Sequence, residues 1–349
     1  MGNSQHVNLV KDIKILDEQI VPHSNQSVTV IIGEPDGNRT LELQVKRPVH
    51  FDKMITLQIN GIVCAARLAL KPFNSLRNLL INIKNGWLNA YSDLSRPVKY
   101  QTPVFDLRCI EPNNIVHLMM HAIPFCLHVK KLSGVNTKFL VAKLNPPFKK
   151  LMEAFNIEPV TTNHKIHGPF VKIFGTRGLA SYDVLNVPDC PPITFVPNIY
   201  DDYKFTGPLI NKEKLFIARR GARGLMNHDA IESMLNKIGY QTVFMEDYTV
   251  LEQLGIASEA KDVVAVHGAS MGMLVLNKQI NSLIEICPPN VYHEYFPVTL
   301  AGSVKKHIQI IPSFDSNVAY SGWDAIVHFK NKPFSVNESQ IELALSMLN

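Results

Sequence analysis

The chain has 349 residues, 46% hydrophobic and 19% charged, an ordinary globular composition long enough to bury two cores. Its net charge of +5 and pI of about 8.8 are too small and too scattered an excess for a nucleic-acid protein, but suit an anionic substrate or loose contact with an acidic membrane surface. Five cysteines, an odd number with no two close in sequence, argue against a disulfide framework or a C-x-x-C metal site and for a reducing compartment.

The N-terminus, MGNSQHVNLVKDIK, lacks the apolar core of a secretory signal, and His6 stands where myristoylation after Gly2 needs Ser or Thr. No uninterrupted apolar run reaches the length of a membrane span. The expected location is therefore cytoplasmic, with a membrane-peripheral position left open. Asn-x-Ser/Thr occurs at Asn25, Asn38 and Asn337, which means little without a secretory route.

In chain order, the first hundred residues read as β-rich. SVTVII (27–32), TLELQVK (40–46), MITLQI (54–59) and IVCAARL (62–68) are predicted strands, the last two joined as a hairpin by Asn60-Gly61. Residues 113–132 read as a helix, apolar nearly all round and hence buried, which Pro124 should kink. TKFLVAKL (137–144) follows as a parallel strand and 146–157 as a helix with proline at its start. Short strands and turns fill 165–200, and a linker ends near Asn211.

From there the text becomes regular. Strands are predicted at 214–219, 240–246, 262–268, 282–287 and 308–312, separated by helices, one capped by Asn227 and one starting at about Ala269. Such a βαβαβαβαβ run makes a doubly wound parallel sheet. Asn337 caps a last helix. The expected division is 1–205, 206–330, and a C-terminal helical piece, 331–349, free to pack back on the first domain. The fold class is α/β.

Ligands of doubly wound sheets sit outside the carboxyl ends of the strands. Arg219, Arg220 and Arg223 lie at the first such end, Glu246 and Asp247 at the second, His267 at the third, and Glu285 near the fourth. Guanidinium forks match phosphate oxygens, so this arginine cluster reads as phosphate-binding, against a solvated basic turn. His267-Gly268-Ala269-Ser270 is a strand-to-helix junction of small residues, whose exposed N–H groups suit a diphosphate. Glu285, a charge in an apolar run, must be paired; a ribose diol and a salt bridge to an arginine are equal candidates. Asn114, His117 and His121 share a helical face. Without H-E-x-x-H or an obvious third ligand a metal site is not expected; a histidine general base fits better, with a satisfied core polar residue as the competing reading for either one alone.

One short pattern points elsewhere. Gly268-Ala269-Ser270-Met271-Gly272 matches G-x-S-x-G, the nucleophile elbow of α/β-hydrolases. A serine esterase would need an acid and a histidine downstream, for which Asp315 or Asp324 with His328 can be nominated.

Taken in order, Arg219-Arg220-x-x-Arg223, Asn227, Glu246-Asp247, Gln253, His267-Gly268-Ala269 and Ile284-Glu285 resemble glycosyltransferase family 61. Asn114-x-x-His117 followed by Pro124 resembles that family's N-terminal Asn-x-x-His helix. The likeness spans roughly 114–289 and is strongest over 214–289. It implies a GT-B fold, two Rossmann-like domains facing each other across a cleft. The C-terminal one would bind a nucleotide-sugar donor, with UDP-sugars favoured, and the N-terminal one the acceptor. It also implies an inverting transfer without an obligatory metal or other cofactor, in polysaccharide or lipid-linked glycan synthesis. By residue, the donor side would be Arg219, Arg220, Arg223, Glu246, His267, Gly268, Ala269, Ser270 and Glu285. Asn114 would lie on the acceptor side, with His121 as base and His117 orienting. Two positions depart from the family pattern. Ser270-Met271-Gly272-Met273 replaces Gly-Leu-Thr-Asn, and His121 replaces the usual acidic residue. The competing readings are the Ser270 esterase and a degenerate transferase that binds nucleotide or glycan without turnover.

Overall fold

The computed structural model describes residues 13–20, 26–34, 37–45, 53–59, 98–99, 104–106, 113–124, 126–127, 130, 138–141, 143–161, 166–167, 170–172, 199–208, 210, 212–291, 295–300, 303–313 and 332–348. The chain forms two compact units that interleave in sequence: 1–21, 53–113 and 125–194 in one, and 22–52, 114–124 and 195–349 in the other. The sequence suggested a division near residue 205. Residues 22–52 and 114–124 belong instead with the C-terminal half.

In the smaller unit a four-stranded parallel sheet runs in the order Phe170–Lys172, Val104–Asp106, Lys138–Val141, Pro159–Thr161. The helix Pro146–Ala154 carries prolines in its first turn, as expected, and buries Leu151 and Met152. The strand Lys53–Ile59 pairs antiparallel with Ile13–Ile20. The hairpin partner expected for it beyond Asn60-Gly61 lies outside the described residues.

The larger unit is built on one seven-stranded sheet. Its strands are β1 (Gln26–Glu34), β2 (Gly37–Val45), β3 (Lys214–Ala218), β4 (Gln241–Phe244), β5 (Asp262–Val266), β6 (Ile280–Ile286) and β7 (Val304–Ile311). All five strands predicted in this half are present. Their order is β4-β3-β5-β6-β7-β1-β2, parallel throughout except the β1–β2 hairpin. The inner strands are apolar almost without break, as strands covered on both faces must be. Phe216, Val264, Ile284, Ile308 and Ile310 form a common core with Ile231 and Leu235 of the helix α2 (His228–Lys237).

Before α2 comes α1 (Ile115–His117), and after it α3 (Val250–Glu259), α4 (Tyr295–Thr299) and α5 (Glu338–Ser346). Reciprocal caps start α3 (Thr249 with Glu252) and α5 (Asn337 with Gln340). α5 lies against β1, β7 and α2, so the C-terminal helix packs on the larger unit. Asn227 ties it down: its amide donates to the Val336 carbonyl at 2.8 Å and accepts from the Val336 N–H at 3.3 Å. Thus Asn227 occupies the predicted cap position of α2 but spends its side chain on another segment. Among the described residues no helix is long and apolar enough to cross a membrane.

From β3 the chain steps to β4 on one side, then returns to β5 on the other. The gap between β3 and β5 is therefore the topological switch point, where the connections diverge and leave a crevice at the carboxyl ends. Arg219 follows β3 and His267 follows β5.

Candidate functional site

Arg219 bridges the crevice. Its Nε donates to the Ala222 carbonyl at 2.8 Å, and its Nη1 lies 3.4 Å from the carbonyl oxygen of His267. Gly268 makes this possible: a Cβ there would stand 2.3 Å from Arg219 Nη1. Its backbone is extended, so the glycine serves close approach and not an unusual φ.

The loop after β3 turns sharply, with the Gly224 N–H bonded to the Gly221 carbonyl at 2.9 Å and Arg223 at a left-handed φ of 66°. The turn carries Arg223 inward. Its Nε is buried without a hydrogen-bond partner. Burial, followed by the charge of neighbouring Arg219, lowers its guanidinium pKa to about 10. Arg219 is also lowered by burial, against the opposing charge of Glu246. Two cations thus lie together, half-buried, at the switch point.

Arg220 faces the other way. It forms a fork with Asp247 at 2.5 and 2.8 Å, stands 3.8 Å from Glu246, and lies 3.7 Å over the Phe244 ring. Arg220, Glu246 and Asp247 are exposed and satisfy one another. The Arg-Arg pair is therefore split between two jobs. Gln253 caps locally, donating to the Tyr248 carbonyl at 2.9 Å.

Beyond Gly268 the chain enters a 3-10 helix, Ala269–Leu276, whose first internal bond runs from the Met271 N–H to the Gly268 carbonyl. The N–H groups of Ala269 and Ser270 precede it, at a half-buried position. Ser270 lacks the strained setting of a nucleophile elbow, since it is not among the residues with positive φ. Gly272 has a packing role: α1 crosses so close that a Cβ would stand 3.0 Å from the Val116 Cα. Both glycines of G-x-S-x-G are thus explained by contacts. Asp315, Asp324 and His328, the partners a hydrolase would need, lie outside the described residues.

That crossing brings the N-terminal motif against the Ala269–Leu276 segment within one unit. Asn114 is the N-cap of α1, its Oδ1 accepting from the Val116 N–H at 3.0 Å. His117 ends α1, half-buried. His121 falls in the following π-helical turn, Leu118–Ala122, and its side chain lies outside the described residues. Pro124 follows this turn directly. In a π-turn residue 124 would donate to the carbonyl of residue 119, and proline has no N–H. The buried Tyr200 hydroxyl donates to the Met119 carbonyl in its place.

Behind His267 lies a buried network. Glu285 is wholly enclosed. Its Oε1 is 2.5 Å from His267 Nδ1, and its Oε2 is 2.9 Å from His307 Nε2 and 2.8 Å from Gln309 Nε2. Burial pushes the Glu285 carboxyl up; hydrogen bonds from His267 and His307, and their charge, outweigh it and hold it below the ordinary carboxylate range. Among the described residues its partners are two histidines, an amide and the Cys287 thiol, not the arginines, and both oxygens are occupied. His307 and Gln309 escaped the sequence reading. Their signal was an alternation of polar residues, Lys305, His307 and Gln309, in an apolar strand, with Gln309 in register with Glu285.

His267, Glu285 and Cys287 are close enough to suggest a metal site. In the arrangement seen, the nearest pair stands closer than two ligands of one ion. Ligands about 2.0–2.1 Å from a tetrahedral ion stand about 3.3 Å apart. The 2.5 Å between His267 and Glu285 is a hydrogen bond.

The sequence model of the family Glycosyltransferase 61 matches residues 115–289, from α1 past the end of β6. The chain belongs to glycosyltransferase family 61. No curated protein matches it. As a family 61 glycosyltransferase it has a sugar donor and an acceptor as substrates. The match holds both the arginine loop and the His267–Glu285 pair inside its span.

Proposed function

We propose that this family 61 transferase is inverting and takes its sugar from a nucleotide-diphosphate donor, UDP-sugars first, for a glycan or lipid-linked glycan acceptor. In this reading the fold is of GT-B type, the enzyme works in the cytoplasm with peripheral membrane contact left open, and the larger unit binds the donor. Arg223 carries the proposal. Its guanidinium is half-buried beside Arg219 with an unpartnered Nε, at the switch point of a doubly wound sheet. A buried cation without an acid is costly, and a diphosphate placed there would relieve that cost.

The acceptor oxygen attacks the anomeric carbon and passes its proton to a base, while the bond to the diphosphate breaks and its electron pair leaves with the diphosphate oxygen. Arg219, Arg223 and the N–H groups of Ala269 and Ser270 receive that charge. Side chains, not a resident metal, neutralise the leaving group. His121 is the proposed base, with His117 orienting and Asn114 shaping the acceptor side. Arg220 acts on the donor only through the loop it braces.

The test compares ligands. Arg223→Ala should weaken UDP binding by about 10- to 100-fold, the scale of a charge-assisted bond, and leave uridine binding unchanged. Its melting temperature should stay level or rise, because a poorly solvated charge is removed. Equal losses for UDP and uridine would overturn the assignment. EDTA should leave UDP affinity intact.

A further inference from the structure

We propose that Glu246 reads the ribose of the donor: its carboxylate accepts hydrogen bonds from the 2′- and 3′-hydroxyls, so the site takes ribonucleoside diphosphate sugars in preference to 2′-deoxy ones. This rests on the donor reading above and narrows the class of nucleotide it calls for.

A ribose diol offers two adjacent O–H donors, and a carboxylate with open lone pairs can accept from both. Among the described residues three carboxylates stand at the carboxyl ends of β3 to β6: Glu246, Asp247 and Glu285. Glu285 is closed to a ligand, being wholly enclosed with both oxygens engaged by His267, His307 and Gln309. Asp247 gives one oxygen to each arm of the Arg220 fork, at 2.5 and 2.8 Å. Glu246 differs from both. Its charge is answered by Arg220 Nη1 at 3.8 Å, beyond hydrogen-bond distance, and 49% of its side chain is exposed. Its oxygens are therefore open to hydroxyl donors.

The chain path suits this role. β3 leads through the turn at Gly221–Gly224 into α2 and then β4, and Glu246 follows β4. In a dinucleotide-binding sheet, the first strand, its glycine turn and its helix hold the phosphates, and an acidic residue after the next strand takes the ribose 2′-hydroxyl. β3 and β4 are parallel neighbours, so the arginine turn and Glu246 lie at the same end of the sheet. The charge of Glu246 acts on Arg219, which bridges the crevice. A carboxylate near a diphosphate repels it, and the pair with Arg220 limits that cost. What the carboxylate contributes is discrimination, because an analogue lacking the hydroxyl leaves its acceptor unpaired.

The experiment measures by calorimetry the affinity of UDP and of 2′-deoxyuridine diphosphate for wild type, Glu246→Gln, Glu246→Ala and Arg223→Ala. The ratio of the two affinities cancels repulsion between Glu246 and the diphosphate, since both ligands carry it. Wild type should prefer UDP by about 10- to 100-fold, the scale of a hydrogen bond to a charged acceptor. In Glu246→Ala the preference should fall to within about twofold, and in Glu246→Gln to about threefold, a neutral acceptor being weaker. The melting temperature of both Glu246 variants should stay at the wild-type value, because the side chain is half-exposed. Arg223→Ala should weaken both ligands together and keep the ratio. Equal affinity of wild type for the two ligands would overturn the inference, as would a preference that survives in Glu246→Ala; in either case the donor reading stands. If wild type binds neither nucleotide, the UDP-donor reading falls and takes this inference with it.

Discussion

The two sides of the switch point hold charge in opposite ways. On the β3 side, Arg219 and Arg223 are half-buried cations to which no acid among the described residues is bonded, Arg223 with an unpartnered Nε. On the β5–β7 side, Glu285 is fully buried and every oxygen is engaged. A folded chain tolerates an under-satisfied cation where a ligand completes it, and a sealed carboxylate where it holds other groups in place. The first arrangement receives; the second orients. Substitutions on the two sides should therefore separate binding from stability.

The largest expected effect is on the sealed side. Glu285→Ala should destabilise the protein by about 3–5 kcal/mol in urea unfolding, because His267, His307 and Gln309 lose their acceptor together. The pH dependence has a definite sign. The folded carboxyl lies below its unfolded value of about 4.3, so its contribution is complete above that pH and is lost as pH falls through the lower, folded range. Glu285→Gln should lack that acid slope. A wild type and Glu285→Gln that lose stability in parallel on acidification would show that the carboxylate is not held by charged partners. That would erase the contrast between the two sides.

Next comes a buried carbonyl, satisfied at long range. Tyr200→Phe should cost about 1–3 kcal/mol, since the Met119 carbonyl loses the hydroxyl that replaces the missing proline N–H. UDP affinity should not change. A neutral Tyr200→Phe would mean that the π-turn at Pro124 accommodates itself without outside help.

Much of this was legible in the sequence, and the limits have physical causes. The five strands from β3 to β7 declared themselves because buried parallel strands are near-continuous apolar runs. Arg219, His267 and Gly268 do meet, since strand order alone brings consecutive carboxyl ends together. What local pattern could not show was long-range pairing. β1 joins β7 across more than half the chain, so the β-rich start was read as part of another domain. The partner of Glu285 was sought among nearby arginines, whereas His307 reaches it through the parallel register of β6 and β7. The doubled arginine looked uniform in sequence, but the turn at Gly221–Gly224 sends Arg223 inward while Arg220 stays on the surface.

That last division yields the smallest predicted effect, and the sharpest test of the comparison. Arg220 and Arg223 are three residues apart, equally charged, and would contribute equally if proximity to a polyanion were all that mattered. Their surroundings differ. Arg220 is exposed, forked to Asp247 at 2.5 and 2.8 Å and stacked 3.7 Å over Phe244, so its donors are already committed. Hydrogen bonds from Arg220 hold the Asp247 carboxyl below its usual range, and the same fork raises Arg220. Exposed pairs of this kind contribute little, because water and salt screen them. Arg220→Ala should leave the unfolding midpoint nearly unchanged and weaken UDP by less than about threefold, well short of the loss expected at Arg223. Added salt should weaken UDP binding to wild type and to Arg220→Ala alike. If Arg220→Ala instead matches Arg223→Ala in UDP loss, the exposed ion pair must open to reach the donor. Unpartnered burial would then no longer mark which cations of this loop bind.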